Sequence, residues 1–135
     1  MHMPQRSRSA WPGKEKIRHD IEKTCGYYLS SRKLNDIRPT YNYQNYYQWT
    51  VHESLLCFLE SESVESAARL AVSLAGNINS QACIACGVAE AFYGPLDLDI
   101  LESEVRPRLS QDLLLVLDAF GREIALPRKK RDNMP

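Results

Sequence analysis

The residues able to do chemistry fall into five groups along this chain of 135 residues. Cys83 and Cys86 form a Cys-x-x-Cys spacing, the first half of a zinc or redox motif. A four-ligand zinc site needs a second pair, and neither Cys25, Cys57 nor the three histidines supplies one at matching spacing, so these thiols read as small apolar residues at a helix contact. Tyr41, Tyr43, Tyr46, Tyr47 and Trp49 crowd one polar stretch, where flat rings suit stacking on a planar ligand or covering a core. Glu53, Glu90, Asp97 and Asp99 are the acidic candidates for general acid/base work. Each has a structural explanation: Glu53 as a helix-capping partner, Glu90 far along its helix, and the two Asp beyond a Gly-Pro stop. His19 reads as solvent-facing and His52 as a first-turn helix residue. The run Arg128–Arg131 reads as a solvated basic tail.

The elements that must hold these residues are helical. Ile17, Ile21 and Cys25 recur at i+4 steps, predicting a helix from Lys14 to about Tyr28 with Gly26 as its stop. Leu29 to Trp49, with Pro39 and the aromatic crowd, reads as a long loop of the kind that lines a site or covers a core. Thr50 and Glu53 have the form of a capping box, predicting a helix start at Thr50. Ser63 is placed to cap a further helix with Glu65 in its first turn, ending at Gly76. Asn79 is the expected N-cap of a helix running to Tyr93 before Gly94 and Pro95. A short helix around Ile100 to Val105 and an amphipathic one over Leu113 to Phe120 complete the pattern. The fold class expected is all-α, a compact bundle of five or six helices spanning 14–126, between a flexible leader over 1–13 and a disordered basic tail over 127–135.

Charge narrows the classes of partner. The total is zero, with nine Lys or Arg against four Asp or Glu up to Thr40, four against twelve from Tyr41 to Leu126, and four against one from Pro127. An acidic body under a neutral total argues against nucleic-acid binding. No apolar run approaches the ~20 residues of a membrane span, and the start lacks the apolar core of a secretory signal. Four unevenly placed cysteines suggest reduced thiols, so a cytoplasmic setting is expected.

The segment AARLAVSLAGNINSQACIACGVAEAFYG (Ala67 to Gly94) resembles the signature of the ADP-ribosylglycohydrolase family. There a helix ends in Gly, Asp-x-Asp-Thr follows, and an Ala- and Gly-rich helix closes on Tyr-Gly. The preceding LNDIRPTYNYQNYYQWTVHESLLCFLES is similar to the family's approach to that segment, and with IRHDIEKTCGYYLS in front the resemblance spans roughly Ile17 to Phe120. It implies a truncated version of the family's helical fold, corresponding to its C-terminal part. It also implies a site where two Mg²⁺ ions would orient the ADP-ribose diol and the attacking water. Carried across, the two Asp fall on Asn77 and Asn79 and the Thr on Ser80, so the metal motif is degenerate. Two amides in place of two carboxylates remove the negative charge that hard dications require, and no metal or other cofactor is expected.

The family's remaining ligands lie upstream of the matched segment. The expectation is therefore an inactive family member with no catalytic residues, a binding or interaction module for ADP-ribose or an ADP-ribosylated protein. Tyr41, Tyr43, Tyr47 and Trp49 are its possible ligand-contact aromatics. The alternative is a subunit of an ADP-ribosyl hydrolase whose N-terminal half comes from another chain or a homodimer partner.

Overall fold

A computed structural model describes residues 11–41, 46–94 and 97–125. These residues are helical with no strand among them, in agreement with the all-α expectation. They divide into two compact units, one holding the described residues up to Gly94 and the other those from Asp97 onward.

In the first unit, α1 (Lys14–Cys25) stops where expected, because Gly26 adopts the left-handed conformation (φ 69°) that an unbranched Cα tolerates. α1 buries no residue of its own. Lys14 Nζ instead donates to the carbonyls of Phe58 and Leu59, both at 3.1 Å, and to that of Ser61. These oxygens lie at the far end of α3 (Tyr46–Glu60), so the ammonium neutralises carbonyls that the helix leaves unpaired.

The predicted loop over 29–49 is only partly a loop. It contains the single turn α2 (Leu34–Ile37), whose Leu34 and Ile37 are buried, and α3 begins at Tyr46 inside it. The capping box at Thr50 is therefore incorrect. Thr50 already lies within α3, and Glu53, one turn on, is turned into the protein rather than back to the Thr50 amide. Further along α3, Leu56, Cys57, Phe58 and Leu59 are buried, and each large side chain removed from water contributes ~1.5–3 kcal/mol.

α4 (Val64–Ser73) begins as expected, with Ser63 Oγ accepting from the Ser66 amide at 3.0 Å. Its Ala67 and Ala71 and the Ala85 and Ala89 of α5 (Ile78–Tyr93) are fully buried, and such small faces let α3, α4 and α5 pack pairwise at close range. Phe58 of α3 meets Phe92 of α5 edge to face at 5.4 Å between ring centroids. Leu29, Leu34 and Ile37 complete this core.

The second unit holds α6 (Leu98–Ile100), which continues as a π turn over Leu101–Val105 and a 3₁₀ turn over Arg106–Arg108, and then α7 (Gln111–Ala125). Arg106 ties these turns to α7 through Asp118 at 3.0 Å. Leu113, Leu115, Val116, Leu117 and Phe120 of α7 are exposed. No helix among the described residues is long and apolar enough to cross a membrane.

Candidate polar and aromatic cleft

Trp49 and Glu53 stand four residues apart on α3, one above the other on the same helical face. Arg32, from the segment before α2, reaches over this face. Its guanidinium carbon is 4.6 Å from the Trp49 ring centroid, and its Nη2 pairs with Glu53 Oε1 at 2.8 Å. The pair is unequal in exposure: the Glu53 side chain is 1% exposed and that of Arg32 26%. Ile37, Thr40 and Tyr41, at and just after α2, close a cleft of about 210 Å³ against these three.

The far wall is fixed by the junction between α4 and α5. Ala75 and Gly76 both have positive φ, 63° and 78°, which turns the chain sharply at the end of α4. The Tyr41 ring lies directly on Gly76, where an added Cβ would stand 2.5 Å from Tyr41 Cε1. The Tyr41 hydroxyl accepts a bond from the Nε2 of Gln81, a fully buried side chain in the first turn of α5. Tyr41 thus joins the segment after α2 to the junction that carries Asn77.

Burial governs the electrostatics. It pushes the Glu53 carboxyl above its ordinary range, with Arg32 pulling the other way. Burial also raises the Tyr41 phenol, helped by the Glu53 charge, and raises the Cys57 thiol to about 12. His52, 6% exposed, sits with its ring centroid 4.1 Å from that of Tyr27 and 5.2 Å from that of Trp49. Burial first, and then the Arg32 charge, hold its pKa below the usual imidazole value. His52 is therefore a buried residue in the second turn of α3, not the first-turn residue expected, whereas His19 is exposed as expected.

Asn77, Asn79 and Ser80 lie at the start of α5. Asn77, rather than Asn79, is the N-cap residue, and its side chain makes no capping bond. Asn79 is exposed, the second residue inside the helix and so past the cap, and Asn77 and Ser80 are half-buried. Two amides and a hydroxyl carry no formal charge, so this donor set does not fit a pair of divalent cations. No group of three or more His, Cys, Asp or Glu side chains placed to hold a metal occurs among the described residues.

Of the four aromatic candidates, Tyr41 and Trp49 come together in the cleft. Tyr43 and the side chain of Tyr47 lie outside the described residues. Cys83, expected to be buried at a helix contact, is exposed, and Cys86 is half-buried. The basic run Arg128–Arg131 is also outside the described residues.

Arg32, Thr40 and Gln81 are site residues that sequence reasoning missed, and Glu53 was assigned the wrong role. One available signal was the i,i+4 pairing of Trp49 with Glu53 within an apolar helix, which places a carboxylate beside a ring. A larger cleft of about 640 Å³, lined by Ile17, Ile21, Phe58, Val88 and Phe92 between α1 and α5, has no comparable convergence of polar groups. The arrangement around Arg32 can bind by hydrogen bonding and stacking. No family model, no curated protein and no solved structure matches this chain.

Proposed function

We propose that this protein is a catalytically silent member of the ADP-ribosylglycohydrolase family that acts as a binding module for ADP-ribose or an ADP-ribosylated protein. The observation that carries the reading is the contact of Tyr41 with Gly76 and Gln81. It sets an aromatic and polar cleft against the junction that carries Asn77, and the resemblance aligns Asn77 and Asn79 with the family's metal-binding carboxylates. A cleft built this way offers ring faces and neutral or paired polar groups. It does not offer the anionic oxygens that two-metal hydrolysis needs.

The test is calorimetric titration of the purified chain with ADP-ribose, together with a release assay on arginine-ADP-ribosylated protein in Mg²⁺. Saturable binding that is weakened by Tyr41→Ala, without turnover, is the expected result. Mg²⁺-dependent release of ADP-ribose would overturn the silent reading, and absence of binding would overturn the ligand.

A further inference from the structure

Buried polar atoms beside the Arg32 cleft are short of a hydrogen bond, both Glu53 oxygens among them, although Oε1 stands in the ion pair with Arg32. Glu53 Oε2 and Arg32 Nη1 are both buried, and neither has a hydrogen-bond partner among the described residues. Native proteins satisfy the great majority of buried polar atoms, so an acceptor and a donor left open in one ion pair call for a bonding partner, a role that an ordered water or a bound ligand fills. Glu53 is a side chain 1% exposed that lines the cleft itself.

The charges define what that occupant is. Arg32 and Glu53 neutralise each other at 2.8 Å, so an anion entering the cleft meets the Glu53 carboxylate and a cation meets the guanidinium. A neutral group with an acceptor beside a donor complements both at once: its acceptor faces Arg32 and its N–H faces Glu53. Trp49, Tyr41 and Ile37 provide rings and an apolar wall, which favour a flat group. At about 210 Å³, the cleft is below the ~300–1,000 Å³ of drug-sized pockets and suits a single ring system.

We propose that the cleft between Arg32, Trp49 and Glu53 binds an uncharged planar group presenting a hydrogen-bond acceptor beside an N–H donor, the chemistry shared by a primary carboxamide and an amino-nucleobase edge. The proposal shares Tyr41 and the cleft with the reading above, but it rests on the ion pair's unmet hydrogen bonds rather than on the family resemblance. Arg32 and Glu53 act as the two recognition residues, with the guanidinium seated 4.6 Å from the Trp49 ring centroid.

The experiment is a titration of the full chain followed by ¹⁵N-resolved NMR, reading the Trp49 indole and the Arg32, Thr40 and Tyr41 amides. The probes are benzamide, N,N-dimethylbenzamide, adenine and cytosine. Benzamide or a base should shift these signals saturably, and the dimethyl amide, which keeps the acceptor and loses the donor, should bind roughly tenfold more weakly. Tighter binding of a base than of benzamide assigns a nucleobase edge, and the reverse assigns a carboxamide.

Arg32→Lys retains the charge facing Glu53 but removes the second guanidinium nitrogen, and should lower benzamide affinity by a similar factor. If that variant fails to fold, the ligand series on the unmodified chain still decides. Lack of saturable shifts from any donor-bearing probe, or equal binding of benzamide and its dimethyl form, would overturn the proposal. Benzamide binding without ADP-ribose binding leaves this proposal standing and removes the earlier one. ADP-ribose binding with no preference for the donor-bearing probes does the opposite.

Discussion

Replacing Gly76 with alanine tests whether Tyr41 is locked to the junction between α4 and α5. Two costs add. At φ 78° an L-residue pays ~1–2 kcal/mol for bringing its Cβ towards the backbone carbonyl. The new Cβ would also stand 2.5 Å from Tyr41 Cε1 and 3.3 Å from Cδ1, forcing the ring off its seat and loosening its bond to Gln81, an overpacking cost of about 1–3 kcal/mol. The sum is about 2–5 kcal/mol, a large share of the ~5–15 kcal/mol that holds a small domain folded. Urea unfolding followed by far-ultraviolet circular dichroism measures it through the shift in midpoint at constant slope. The same substitution in a Tyr41→Ala background separates the two costs. With no ring to strike, only the backbone cost of ~1–2 kcal/mol should remain, so the two substitutions should be non-additive. A loss below ~0.5 kcal/mol, or an equal loss in both backgrounds, would show that Tyr41 does not rest on Gly76.

Lys14→Met keeps the length of the side chain but removes a donor shared by three carbonyls. It should destabilise the protein by about 1.5–3 kcal/mol and speed amide exchange along α1, and unchanged exchange would refute the role of Lys14 as its anchor. His52 titrates below its ordinary 6.5 in the folded protein, so the unfolded chain binds the extra proton first as pH falls. The stability it contributes is present above 6.5 and is lost as pH falls through the lower folded value. His52→Gln should flatten that segment of a stability–pH curve, and an identical slope in both proteins counts against it. With its thiol fully buried and raised to about 12, Cys57 should resist a thiol reagent until the protein unfolds, whereas exposed Cys25 and Cys83 should react in the native state. Native-state labelling at Cys57, read by peptide mass, would contradict its burial.

The sequence specified features whose cause lies within a few residues. Gly26 stops α1 because a glycine accepts the left-handed turn, Ser63 caps α4 through its own third-following amide, and the alanine periodicity of α4 and α5 marks the faces they bury. Each of these is a local rule with a local reward. Thr50 and Glu53 show where local rules lose. Their spacing fits a capping box worth about 1 kcal/mol, but α3 starts upstream at Tyr46 and carries Glu53 inward to Arg32. Asn79 lost the N-cap to Asn77 in the same way, because the positive-φ pair Ala75 and Gly76 sets where α5 can begin.

The cleft itself was least legible, since Arg32 and Glu53 are 21 positions apart, and Tyr41 and Gln81 40 apart. Their types were visible in the chain, but nothing in their spacing links them. The sequence by itself determined an all-helical chain with an aromatic-rich segment and with amides at Asn77 and Asn79. Only the tertiary structure decided that Trp49, Glu53, Arg32 and Tyr41 share one cleft. The physical reason is that helix starts and stops are fixed by bonds between near neighbours, whereas a buried ion pair forms only when packing brings distant segments together and removes the water between them.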